Sequence, residues 1–165
     1  MDQLFTPWRY AYVTADRDKK TCLFCDIAAR AAADDDRTLV LHRGRHNFVV
    51  LNAYPYTSGH LMIVPYRHEA RLSMLDDSAR NELLSLAARA EAVLEDTYRA
   101  QGLNFGFNLG KCAGAGVAGH LHMHAVPRWF GDTSFMTVTG ETRILPESLE
   151  ESWTRLRGRF GGGDS

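Results

Sequence analysis

Gly119-His120-Leu121-His122-Met123-His124-Ala125-Val126 places three histidines at alternate positions of an otherwise apolar stretch. Alternate residues of a strand share a face, so the imidazoles line one side while Leu121, Met123 and Ala125 turn the other way. At about 3.3 Å of rise per residue the outer two backbones stand roughly 13 Å apart, an awkward set of ligands for one metal. The spacing therefore predicts a division of labour among the three. At pH 7 about three quarters of an unperturbed histidine population is unprotonated, which makes a neutral imidazole an available nucleophile. Attack on phosphorus would spread negative charge over phosphoryl oxygens, and backbone amides or a second imidazole can offset that charge. The glycine-bearing loop 110–118 just upstream supplies backbone able to approach a ligand closely.

Outward from this stretch, residues 103–109 read as the preceding strand. Leu83, Leu86, Ala87, Ala90, Val93, Leu94 and Tyr98 recur at three- and four-residue steps, predicting a long helix over 76–101 stopped by Gly102. Residues 60–65 form an apolar strand, and 38–42 and 47–52 a hairpin turning at Arg43-Gly44-Arg45. The alanine-rich segment 25–33 suits a short helix, followed by the acidic run Asp34-Asp35-Asp36 as a solvated loop. A last helix is expected over 147–160, an extended arm over 1–20 and a disordered tail over 161–165. The element order predicts an α+β domain, residues 1–160, with a mainly antiparallel sheet of about five strands, one long helix and short N- and C-terminal helices.

At 165 residues with 45% apolar and 24% charged side chains, the chain has the composition of one ordinary globular domain. Nineteen Lys plus Arg against twenty Asp plus Glu leave a formal charge of -1, so no global positive field exists to hold a nucleic-acid backbone. No window approaches a membrane-spanning run and no signal segment opens the chain, so a cytoplasmic protein with no membrane partner is expected.

Cys22-Leu23-Phe24-Cys25 is too tight a spacing for a routine disulfide framework, and metal or redox chemistry is the better reading. A thioredoxin-like strand followed by an active-site helix is not evident around it. Cys112 reads as a bystander thiol in the glycine loop. Of Trp8, Trp129 and Trp153, only Trp129 lies near the histidines, and large aromatics are more often core than ligand platforms. His42 and His46 read as polar hairpin positions, and Arg128 as either a phosphate-steering cation or a solvated strand end.

Taken together, the histidine stretch resembles the signature of the histidine-triad (HIT) superfamily, His-apolar-His-apolar-His-apolar-apolar. Pro7-Trp8-Arg9, Cys22 to Cys25, Gly59-His60, Asn108, Ala113-Gly114, Pro127-Arg128-Trp129 and Gly131-Asp132 stand where such proteins carry similar residues. Pro127-Arg128 and Gly131-Asp132 are similar to the Fhit-like branch and bacterial diadenosine tetraphosphate phosphorylases. The resemblance implies a nucleotide substrate and a nucleotidyl-histidine intermediate on His122, with His124 contacting phosphate and His60 supporting the triad. It implies that Asn108, Gly114, Gly116 and Val117 bind phosphate or ribose and that Asn52 borders the nucleoside. An amide of this kind can equally bond its own turn, and for Asn52 the two readings stand level. Cys22, Cys25, His68 and His120 match the ligands of a structural zinc in a subset of the family, and two Cys with two His suit a closed tetrahedral site. A homodimer is also implied. The loop 111–117 departs from the pattern, lacking the Gln, Ser or Thr that relatives place near Ala115 to Val117, which leaves hydrolysis and phosphorolysis both open. A phosphoramidase, or a nucleotide-binding protein with weak chemistry, is the rival reading.

Overall fold

The computed structural model describes residues 21–133 and 147–160. The expected arm over 1–20 and tail over 161–165 lie outside them. Five strands form one sheet: β1 (Val40–Arg43), β2 (Asn47–Leu51), β3 (Leu61–Pro65), β4 (Gly102–Phe107) and β5 (Met123–Arg128). Their order is β1-β2-β3-β5-β4, and every neighbouring pair is antiparallel. Among the described residues the α-helices are α1 (Leu23–Ala29), α2 (Asp35–Thr38), α3 (Asp77–Tyr98) and α4 (Leu149–Arg157). This is the expected α+β architecture.

Both faces of the sheet are covered, which explains why every residue of β2 and β3 is buried and why these strands read as continuous apolar runs. On one face, Val49, Leu51, Leu61, Ile63 and Ala125 pack against Leu83, Leu86, Ala90 and Leu94 of α3 and against Trp153 and Leu156 of α4. On the other, Val40, Phe48, Val50, Met62 and Val64 pack against Phe24, Ile27 and Ala28 of α1. The functional residues gather on this second face.

Helix α3 begins where Asp76 accepts the Ala79 N–H at 2.8 Å, which satisfies an otherwise orphaned amide. It stops at Arg99, whose φ of 50° is left-handed, rather than at Gly102, which opens β4. The Glu82 carboxylate on this helix accepts the N–H groups of Arg45, His46 and Asn47, each at 2.7 Å, and so closes the β1–β2 turn. Gly59 has φ +78° and a Cβ there would lie 2.7 Å from the Tyr98 ring, so this turn has no room for a side chain.

Three expectations shift. The helix expected over 25–33 ends at Ala29, and the acidic run is helical: a 3₁₀ turn at Ala32–Asp34 leads into α2, with the Thr38 hydroxyl donating to the Asp34 carbonyl at 3.0 Å. The first strand consequently starts at Val40, after Leu39 turns the chain at φ 62°. The last strand, expected over 119–126, is Met123–Arg128, so only His124 of the triad lies inside it. His120 is held in a bend by its N–H to Val117 O at 3.3 Å, and Leu121 N–H is diverted to Glu69 O, so neither joins the ladder.

Candidate functional site

Because His120 precedes the strand and His124 lies within it, the triad splits between two chemical environments. His120 is 1% exposed, and its Nε2–H donates to the Pro65 carbonyl at 2.8 Å, which leaves the Nδ1 lone pair free for a ligand. That Nδ1 lies 3.3 Å from Cys22 Sγ and 3.6 Å from Cys25 Sγ, while His68 Nδ1 lies 3.3 Å from Cys25 Sγ. All four donor atoms fall within 4.8 Å of one another. Tetrahedral coordination with metal–sulfur bonds of about 2.3 Å and metal–nitrogen bonds of about 2.0 Å needs donor separations of about 3.3–3.8 Å. The cluster could hold a metal, and its two sulfurs and two imidazoles are the soft to intermediate donor set that zinc takes.

His122 stands on the other side of the bend. Its Nδ1–H donates to the His120 carbonyl at 2.8 Å, so the lone pair is on Nε2, which makes that nitrogen the nucleophilic one. Phe24 packs against it with ring centroids 5.1 Å apart, and the ring of His124 lies edge-on at 5.0 Å. Burial pushes the His122 imidazole below its ordinary range, which keeps it neutral at pH 7.

The tautomer of His124 is fixed by a short chain of donors. Tyr56 N–H can only donate, and it reaches His60 Nδ1 at 3.1 Å. The proton of neutral His60 is therefore on Nε2, which donates to His124 Nδ1 at 3.0 Å. The proton of His124 is thereby placed on Nε2, an atom shut off from solvent that has no hydrogen-bond partner among the described residues. A buried donor of this kind is costly unless something completes it, and a substrate oxygen would do so. Burial, with the neighbouring His122, pushes His124 down to about 4, so it presents a neutral N–H rather than a cation.

His122 and His124 open onto a cavity of about 460 Å³, within the usual size for a small-molecule site. Asn52, Asn108, Gly114, Gly116 and Val117 all line it, and His60, expected as a support of the triad, stands buried behind His124. Gly114 takes φ +86°, the left-handed turn that carries the loop past the cavity. Asn52 makes the local turn bond, its Oδ1 accepting the Tyr54 N–H at 2.9 Å, and its Nδ2 lies 3.4 Å from His60 at the cavity wall. Sequence reasoning missed Leu23, Phe24, Ile27 and Tyr56, which wall the same cavity. The only signal was the position of Phe24 between two cysteines, and it said nothing of the fold bringing them 98 residues along the chain to His120.

A larger cavity of about 880 Å³ lies across Tyr56, lined by Asn104, Arg128, Trp129 and Arg155, and contains none of the triad. There Arg128 is tied to Asp132 at 2.8 Å and to Asn104 at 2.7 Å, and Trp129 donates to Tyr98 O at 3.3 Å, so both have structural work to do. Trp153 is core, donating to Val40 O at 2.9 Å. Cys112 is exposed. Chemistry rather than size singles out the smaller cavity.

A five-stranded α+β fold that carries three histidines in this arrangement defines a class, and the HIT domain family model matches residues 34–131. The chain belongs to the HIT domain family. It is 37% identical over 157 residues to an AP-4-A phosphorylase of Mycobacterium tuberculosis, covering 92% of this chain and 80% of that one. It is 30% identical over 95 residues, 58% of this chain and 52% of the relative, to the asymmetrical bis(5'-nucleosyl)-tetraphosphatase of Schizosaccharomyces pombe. Among solved structures, a zinc-bound histidine triad family protein from Mycobacterium smegmatis superposes with a TM-score of 0.67 at 28% identity, covering 84% of this chain and 92% of that one.

Proposed function

We propose that this protein is an enzyme that splits dinucleoside polyphosphates such as diadenosine tetraphosphate by nucleotidyl transfer through His122. The observation that carries the reading is the pair of fixed tautomers: a lone pair on His122 Nε2 and, beside it, an orphaned N–H on His124 Nε2. In the first step the His122 lone pair forms a bond to the α-phosphorus, and the bond from that phosphorus to the bridging oxygen breaks. The nucleotide leaves with the electron pair as an anion. His124 Nε2–H and the loop at Gly114 to Val117 face the charge on the phosphoryl oxygens. In the second step the acceptor oxygen bonds to phosphorus, the P–N bond breaks and its electrons return to His122 Nε2. A phosphate dianion needs no base for this step, whereas water must lose a proton to solvent. The relationship to an AP-4-A phosphorylase over nearly the whole chain favours phosphate as acceptor.

His124 also bears on the leaving group. A nucleoside polyphosphate leaves without protonation, because the second pKa of a phosphate monoester is about 6. A phosphoramidate leaves as an amine and needs a proton that a His124 held near 4 does not carry at neutral pH. This supports the polyphosphate reading over the phosphoramidase one. Chromatography of products from diadenosine tetraphosphate tests it: ATP plus ADP, dependent on added phosphate, is the expected result. ATP plus AMP would mean hydrolysis, and no cleavage would overturn the proposal.

Cys22, Cys25, His68 and His120 would hold a structural zinc, which needs no open coordination position and takes no part in the chemistry. Two cysteines as zinc ligands and Cys112 as an exposed thiol suit a reducing compartment such as the cytoplasm. No helix among the described residues is long and apolar enough to cross a membrane. With charge near balance, neither nucleic acid nor a membrane is a partner in this reading. The chain acts as one domain and pairs as a homodimer, a reading supported by the edge position of β4 and by Phe130, which is 91% exposed.

A further inference from the structure

Helix α1 stands between the two halves of the site. Its N-terminal end carries Cys22 and Cys25 into the four-ligand cluster, and its flank lines the cavity through Leu23, Phe24 and Ile27. Phe24 is 2% exposed and touches both halves at once, with its ring 5.4 Å from His120, edge-on, and 5.1 Å from His122. Among the described residues His122 is also held by its hydrogen bond to the His120 carbonyl at 2.8 Å and by the edge-on ring of His124 at 5.0 Å. The tautomer of the nucleophile is thus set from within the cluster, by His120, and one flank of its ring by Phe24, which stands between the two cysteines in sequence.

On its own this helix has little to hold it. It has seven residues and Cys22 at its N-cap makes no side-chain capping bond, whereas an isolated helix below about 12–15 residues is marginal even in alanine-rich sequence. Phe24, Ile27 and Ala28 pack on the sheet, and Arg43 donates to the Ala28 carbonyl at 3.4 Å. Among the described residues its first turn is otherwise fastened by the cluster itself, where a bound metal would replace loose sulfur–nitrogen contacts by bonds.

We propose that Phe24 is a positioning residue for the His122 nucleophile, and that through Phe24 and α1 a metal in the four-ligand cluster and a nucleotide in the cavity strengthen each other's binding. The inference rests on the reading of the cavity as a nucleotide site and of the cluster as a zinc site. Metal orders the wall against which the nucleotide packs, so the nucleotide need not supply that ordering, and linkage makes the effect reciprocal.

The test is calorimetric titration of AMP into zinc-loaded and zinc-stripped protein, with circular dichroism following the fold. We expect AMP to bind about tenfold more weakly without zinc, within the usual range of coupling between sites. Saturating AMP should tighten zinc by the same factor in competition with a chelator. In zinc-loaded Phe24→Leu, zinc should remain at one per chain, the coupling factor should fall toward one, and kcat should fall about tenfold with a smaller change in KM. Equal AMP affinity with and without zinc would overturn the coupling. So would a stripped protein that unfolds outright, because zinc would then hold up the whole domain rather than one wall. Unchanged kcat and coupling in Phe24→Leu would overturn its positioning role. Failure of zinc-loaded wild-type protein to bind AMP would instead sink the nucleotide reading beneath it.

Discussion

Replacing His60 by Phe keeps an aromatic ring, somewhat larger than imidazole, at a fully buried position and removes both ring nitrogens. The bonds lost include the one received from Tyr56 N–H at 3.1 Å, the one given to His124 Nδ1 at 3.0 Å and the 3.4 Å contact with Asn52 Nδ2. With its donor gone, His124 no longer has a fixed tautomer, and the proton on Nε2 that faces substrate can move to Nδ1. Removing one well-aimed transition-state donor costs about 2.7–4 kcal/mol, so kcat should fall by about 10²–10³. The loop at Gly114 to Val117 lines the cavity and His60 stands behind His124, so the loss should fall more on kcat than on KM. Leaving the Tyr56 N–H without an acceptor costs about 1–3 kcal/mol, which in a domain of this size lowers Tm by about 2–12 °C. His60→Gln carries an acceptor and a donor on one side chain and should recover part of the rate. The assay is single-turnover cleavage of diadenosine tetraphosphate followed by chromatography, run beside thermal melts. A kcat for His60→Phe within about threefold of wild type would refute the donor chain.

Three further outcomes follow from the same structure. Glu82→Ala strips the acceptor from three backbone N–H groups and from Asn47 Nδ2, and urea melts should show a loss of about 2–4 kcal/mol; a change below 0.5, about the scale of an ordinary surface substitution, would contradict this role. His124 is held near 4, below its ordinary value of about 6.5, so protonation favours the unfolded chain: its stabilising contribution is complete above about pH 6.5 and is lost as pH falls through 4. Urea midpoints that stay flat from pH 7.5 to 4.5 would refute the His124 shift; Glu82, held down by its amide and backbone donors against burial, loses its contribution only below about pH 4.5, and midpoints of Glu82→Gln that fall as steeply as wild type below that pH would refute its shift. Phe130→Asp should convert a dimer to monomer in sedimentation without changing the fold, and an unaltered sedimentation coefficient would remove Phe130 from the interface.

The triad's division of labour was legible from spacing alone, because alternation and rise per residue already make three ligands to one metal awkward. Its mechanism of division was not. The structure divides the histidines by a bend at His120 and Leu121, made by bonds to Val117 and Glu69 that no local period encodes. The long helix was legible from its apolar steps, yet its stop at Arg99 rather than Gly102 was not, since a left-handed arginine leaves no compositional mark. The acidic run became helix because Thr38 and Asp34 close a turn that outweighs the charge pattern. Cys22 meeting His120 and His60 meeting His124 are contacts across 98 and 64 residues. Only the family resemblance pointed to them, and it gave no tautomers. The tautomers are fixed by groups with one possible role, the His120 carbonyl that can only accept and the Tyr56 N–H that can only donate.

The most direct test of the central claim is to quench a reaction with diadenosine tetraphosphate in acid-free denaturant and map the modified residue by mass spectrometry. The account predicts one AMP on His122, attached through a P–N bond that hydroxylamine or acid removes, and no adduct in His122→Ala although that variant still binds AMP. An adduct on another residue, or turnover retained by His122→Ala, would contradict it.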